Sequence, residues 1–335
     1  MTSLNNPSKI FIKSTNSYDK MIKKYNISSL FFIVITILIN ILIGNKELSL
    51  SLIKTTIVSL LITSVISYII NIIKKEYNIL KIYTEDTTIT ISIVLALFSV
   101  NTNIIILVLS ILLTQIVKNI FNNINISSSL YGILLITLYK YFNNESLILI
   151  KSITNNITYQ EVLKLGGGIK NYLFSINYLN PVLSIIIFIY LYHYKSIKYN
   201  IVYSYIITFI IIIMSYSIFN GYSIYYGLVY ILTSGVLFLT TYTISDYRIT
   251  PTIDEGKIIY GIILGIISSI LTMIIPELSI IITFILGPLL LTKIIDKISF
   301  KLKYNDKLYY GIILFLIAII ILVIFSLVII YWQVK

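Results

Sequence analysis

Long, unbroken apolar runs separated by short polar stretches make up most of the chain. Because the runs are continuous rather than alternating in polarity, they predict α-helices and not the strands of a membrane barrel. Runs over roughly Ile27–Ile43, Leu52–Ile73, Ile104–Val117, Ser128–Tyr141, Tyr178–Tyr192, Ile201–Phe219, Ile224–Ile244 and Ile258–Ile275 are candidate spans. Another runs from the Pro276-Glu277 turn to about Leu291, and a last one covers Tyr309–Trp332. Several reach the roughly 20 residues needed to cross a hydrocarbon core of about 30 Å.

One segment breaks the rule. Thr87–Ser99 is too short to cross upright, and Asn101-Thr102-Asn103 turns the chain directly into the next run. It reads equally as half of a discontinuous helix lining a protein-covered site or as part of an ordinary tight hairpin of short helices. Counting it gives ten or eleven transmembrane helices.

The polar stretches carry the charge. Lys9, Lys13, Lys20, Lys23 and Lys24 stand against Asp19 before the first span, which predicts a cytoplasmic N-terminal tail over 1–26. Alternate loops then hold most of the 25 basic residues, the bias expected of inner segments. Lys54 is an exception near the outer end of the second span, where its stem can snorkel. Five spans precede the long hydrophilic excursion and five follow it, so the two sets have opposite orientations. That is the arithmetic of an inverted repeat: a first helical repeat over 27–141, an outer loop over 142–177, a second repeat over 178–296, and a basic loop with an extra helix over 297–335.

Composition narrows the chemistry. With 335 residues, 58% hydrophobic content and a mean hydropathy of +0.95, the chain reads as an all-α polytopic membrane protein whose first partner is the lipid bilayer. The net charge of +12 reflects loop lysines and implies no nucleic acid. Zero cysteines excludes disulfides, thiolate metal sites and a cluster held by this chain alone. A lone His193 argues against a histidine metal site or a Ser-His-Asp triad and reads as interfacial. No cleavable leader is evident, since the first apolar run follows a polar tail.

In the stretch Thr233–Tyr260 one apolar run ends and another begins, and between them lies the densest polar loop, with Asp246, Arg248, Asp254, Glu255 and Lys257 around Pro251. Pro251 is suited to stopping a helix. Gly261 and Gly265 follow at the four-residue spacing of a close-packing face. The pattern Ser234-Gly235, Ser245-Asp246, Thr250-Pro251, Gly256-Lys257, Gly261 resembles the D-type membrane subunit of the Rnf electron-transport complex and its relative, the B-type membrane subunit of the sodium-pumping NADH:quinone reductase. Ser245 stands where that family has threonine, and Tyr247 where it has proline. Gly287-Pro288 and Ile294-Ile295-Asp296 are similar to the family's last conserved helix.

The resemblance implies further residues. Lys118 and Phe121 match a lysine and phenylalanine before a glycine-rich turn, although Asn122, Asn123 and Asn125 stand here for its glycines. By register, Thr158 corresponds to the threonine that carries covalent FMN, with Asn155, Asn156 and Ile157 in place of the family's small triplet. Gly166-Gly167-Gly168 reads as a loop turn, with phosphate cradling as the alternative. Lys118, Asp246, Thr250 and Pro251 would shape a second flavin environment, FMN or riboflavin, or a contact with neighbouring subunits.

The implied function is that of a membrane subunit in a ferredoxin:NAD oxidoreductase of the Rnf type. It would carry electrons by flavin beside iron–sulfur and flavin subunits while the complex moves Na+ or H+. The implied location is a bacterial plasma (inner) membrane, and the implied fold is the inverted repeat shared with urea transporters. Two rivals fit the departures in the flavin motifs: a solute channel or transporter without redox cofactor, and a flavin-free structural subunit.

Overall fold

In a computed structural model, residues 18–44, 46–73, 87–100, 102–120, 126–143, 179–219, 231, 234–244, 250–275, 278–302 and 306–334 are described, and their regular structure is entirely helical. The outer loop from residue 144, with Thr158 and the triple glycine, lies outside these residues. So do Phe121 with its asparagines, Asp246, Arg248, and most of the first half of the Ile224–Ile244 run.

Helices α1 (Tyr18–Ile43) and α2 (Lys46–Ile73) start earlier than the apolar runs that announce them. Lysine is a good helix former, and Ile22 and Tyr25 already face inward one turn apart while Lys20 and Lys23 face out. A short helix α3 (Thr88–Phe98) leads through the Ser99–Asn103 turn to α4 (Ile104–Ile120). A tight 3₁₀ turn, Ile126–Ser128, opens α5 (Ser129–Phe142).

The second set begins with α6 (Pro181–His193), where Asn180 Oδ1 accepts from the N–H groups of Val182 and Leu183 and Pro181 occupies the first helical position. Then come α7 (Tyr199–Phe219) and the four-residue α8 (Val236–Leu239), which widens into a π turn at Thr240–Ile244. After α9 (Asp254–Ile274), α10 (Ser279–Leu286) passes through a second π turn, Gly287–Leu291, into α11 (Thr292–Leu302). α12 (Asp306–Val334) packs on α7 and α9.

Among the described residues, five helices are long and apolar enough to cross a membrane by length and composition: those within Lys20–Leu42, Lys46–Ile73, Tyr199–Phe219, Asp254–Ile274 and Ser279–Phe300. The side-chain distribution points the same way. On α2 the buried residues are Ser49, Leu52, Thr56, Ser59, Thr63 and Ser67, whereas Leu50, Ile57, Leu61 and Val65 are exposed. A water-soluble helix would be arranged the other way round. An apolar exterior over a hydroxyl-lined interior suits lipid, and small polar side chains let helices approach closely.

Each helix packs on near neighbours along the chain. α1 packs on α3, α2 on α4, and α4 on α5; likewise α6 packs on α8, α7 on α9, and α9 on α10. The seventh and eleventh residues of α4, Ser110 and Thr114, press on Gly132 of α5. The seventh and eleventh of α9, Tyr260 and Leu264, press on Gly287 after α10. α1 meets α6, and α5 meets α10, across the join between the sets.

The α7–α9 contact is the closest. A Cβ on Gly261 would overlap Ser204 Oγ and fall 2.6 Å from the Ile201 carbonyl oxygen, and one on Gly265 would overlap Thr208 Oγ1. The four-residue glycine spacing is therefore the face on which α7 lies.

Candidate functional site at two interrupted helices

Two short apolar elements are almost completely enclosed. Ten of the eleven residues of α3 are buried, and so are all of Val236–Ile244 except Leu237. At about 1.5 Å rise per residue, α3 covers roughly 16 Å, about half a hydrocarbon core. A helix that stops inside protein leaves backbone groups at its ends that need partners.

At the start of α3 the partner comes from α1. Asn26 Oδ1 accepts from the Thr90 hydroxyl at 2.7 Å and from the Thr90 N–H at 3.3 Å, a cap supplied from a distant residue because the local Thr87 side chain makes none. At the far end Lys140 of α5 takes over. Its ammonium, 8% exposed, donates to the carbonyls of Phe98 and Val100 at 3.0 and 3.1 Å. A cation at the carbonyl end of a helix also suits the helix dipole.

The second interrupted element enters through Gly235, whose φ of +69° is left-handed and whose position faces the Leu179 side chain. It ends on α1. Ser28 Oγ donates to the Tyr25 carbonyl at 2.8 Å, which leaves the Tyr242 hydroxyl to donate to Ser28 Oγ at 3.1 Å. Phe32 and Phe238 rings pack at 4.9 Å, and Tyr25 and Tyr242 at 6.1 Å. Within one turn of α1, the start of α3 and Tyr242, in the middle of the Thr240–Ile244 turn, thus meet. The π turn itself packs on the Ile126–Ser128 turn, so both sets contribute to this junction.

The Thr250–Thr252 turn before α9 is held by two charges. Lys198 Nζ donates to the carbonyls of Thr250 and Pro251, both at 3.1 Å, and Asp296 Oδ1 accepts from the Thr252 N–H at 2.9 Å. Sequence reasoning singled out Thr250 and Pro251 but counted Lys198 merely as a mark of an inner loop. It also passed over Lys140. The one available signal was a lysine enclosed by apolar and aromatic neighbours, as in Leu138-Tyr139-Lys140-Tyr141. Farther along, Lys257 pairs with Asp254 within the first turn of α9, so part of the loop's charge is neutralised locally.

The residues assigned to flavin by resemblance divide as follows. Thr250 and Pro251 sit together, Thr250 only 3% exposed and Pro251 buried, with both carbonyls engaged by Lys198. Lys118 is half-buried in the last turn of α4. Thr158 and Asp246 fall outside the described residues. Thr250 and Pro251 are buried and their carbonyls accept from Lys198. Their chemistry is that of an anchored turn. Among the described residues no group of three or more His, Asp or Glu side chains could hold a metal ion.

A comparison with family models finds no match to this chain, and a comparison with curated proteins finds none either.

Proposed function

We propose that this chain is the helical membrane subunit of a redox-driven ion translocase of the Rnf type, built as two inverted five-helix repeats with α12 added. The observation that carries the proposal is the Lys198-anchored turn at Thr250–Pro251, the stretch in which the resemblance to that family is densest. Two directions support the inverted repeat. Lys24, near the start of α1, lies 4.2 Å over the Tyr194 ring just past the end of α6, so these helices run antiparallel. Tyr25 packs on Tyr242 and Phe32 on Phe238, so the second short element runs antiparallel to α1.

In this reading the protein holds redox groups at fixed separation inside a shielded scaffold. Thr158 is the attachment point for FMN. The Thr250–Pro251 turn positions its neighbours, Asp246 among them, for a second flavin or for an adjoining iron–sulfur or flavin subunit. The complex, rather than this chain alone, performs the reaction and moves Na+ or H+ across a bacterial plasma membrane, with the N-terminus in the cytoplasm.

A solute channel of the urea-transporter kind is the second reading. It is favoured by the hydroxyl-rich interior along α2, α3 and α4, which suits a neutral, hydrogen-bonding solute. In-gel flavin fluorescence separates the two. After co-expression with a flavin transferase and denaturation, the proposal expects fluorescence that persists in the wild type and vanishes in Thr158→Ala. Absence of retained fluorescence in the wild type, together with solute uptake by reconstituted vesicles, would reverse the choice.

A further inference from the structure

Between α2 and the beginning of α4 lies a groove of about 140 Å³, lined by Ser51, Lys54, Thr55 and Val58 on one side and Thr102 and Leu107 on the other. Its counterpart in the second set is closed. Ser51 and Thr55 are the sixth and tenth residues of α2; Ser204 and Thr208 are the sixth and tenth of α7, and there Gly261 and Gly265 cover them. The positions of α4 that match those glycines, the eighth and twelfth, are Ile111 and Gln115. Neither is a glycine, and the groove opens beside Ile104 and Leu107 of α4.

Lys54 supplies the only charge among the residues that line this groove. It is exposed and has no hydrogen bond or ion pair with any described residue. The hydroxyl protons beside it are already committed: Ser51 donates to Leu48 O, Thr55 to Leu52 O, and Thr102 to Ser99 O. The second and third N–H groups of α4 are engaged as well, Ile105 with Asn103 Oδ1 and Ile106 with Asn103 O. The groove therefore offers one ammonium and little else that donates. A single positive charge complements a monoanion better than a dianion. Exposed Ile57 and Leu61 continue the groove along α2, with Ile104 and Ile105 flanking it on α4, an apolar wall of the kind an acyl chain follows.

We propose that this groove binds one membrane phospholipid, its phosphodiester paired with Lys54 and an acyl chain laid along Ile57 and Leu61. The site rests on the membrane-spanning character of the helices and not on the redox reading, so it stands or falls independently of flavin.

Native mass spectrometry of the full-length protein, exchanged into vesicles containing phosphatidylglycerol, tests it. The wild type should retain one phospholipid through delipidation. Lys54→Gln should lower that occupancy about tenfold, the loss of one charge-assisted contact, while Lys54→Arg keeps it. Val58→Trp, which fills the groove but spares the charge, should also lose the lipid, and Lys293→Gln, at an exposed lysine elsewhere, should not. Equal retention by Lys54→Gln and the wild type would overturn the site. So would equal retention of an uncharged glycolipid, or displacement of the adduct by millimolar inorganic phosphate, which would point to a free-anion site.

Discussion

Gly261 and Ser204 stand so close that the serine hydroxyl occupies the space a Cβ on the glycine would need. The obstacle at Gly261 is also backbone, the Ile201 carbonyl oxygen at 2.6 Å, whereas at Gly265 it is chiefly the Thr208 side chain. Overpacking of this kind costs about 1–3 kcal/mol. Gly265→Ala should lower the thermal midpoint, and adding Thr208→Gly should restore most of the loss. Gly261→Ala should not be rescued by Ser204→Gly. Thermal unfolding of the detergent-purified variants distinguishes the two, and equal rescue at both positions would contradict this packing.

Lys140 is predicted to be structural in a way Lys54 is not. Lys140→Met leaves the Phe98 and Val100 carbonyls without their ammonium partner, and should cost about 2–4 kcal/mol at an average of one to two for each orphaned group. Lys54→Met should leave the midpoint within about 0.5 kcal/mol in lipid-free detergent. Reversed sensitivities in the same unfolding assay would refute this assignment.

At the second interruption the acceptor matters more than the charge. Asp296→Ala removes the partner of the Thr252 N–H and should speed its amide exchange, by about tenfold for a bond worth roughly 1.5 kcal/mol. Asp296→Asn retains an oxygen acceptor and should show a smaller effect. Lys198→Met should loosen the same turn from its carbonyl side. Hydrogen exchange resolved to peptides covering residues 250–256 reads all three.

The absence of cysteine makes sidedness easy to measure. Single variants Asn103→Cys and Thr252→Cys place a thiol at the turn after each short element. If the repeats are inverted, a membrane-impermeant maleimide should label Asn103→Cys from outside sealed cells and Thr252→Cys only after permeabilisation. Labelling of both from the same side would contradict the inverted arrangement.

Much of this architecture can be traced to particular residues. The four-residue spacing of Gly261 and Gly265 marked a close-packing face, on which α7 lies, whereas the brevity of Thr87–Ser99 left a discontinuous helix and an ordinary hairpin equally open. Other features were hidden by the way a linear reading treats charge. Lys140 and Lys198 each resemble an interfacial lysine, since nothing local shows that a helix ends within reach of the ammonium. The early starts of α1 and α2 were missed for a similar reason: a hydropathy reading stops at the first lysines, yet lysine extends a helix readily. The π turns at Thr240–Ile244 and Gly287–Leu291 involve one extra residue per turn, which leaves little trace in an apolar run. The Asn26 cap links residues 64 positions apart, beyond any local motif.

The hydroxyl-rich interior has a mechanical consequence. Ser59, Thr63, Ser110, Thr114, Thr208, Thr243 and Ser268 each give a proton to a carbonyl three or four residues earlier in their own helix. Such bonds travel with the helix that makes them. Shifting one helix against another need not break these bonds, so resistance to sliding falls on cross-links such as Asn26–Thr90 and Lys140–Phe98 and on interlocked contacts such as Gly261–Ser204. Those cross-links and contacts would act as brakes on the bundle.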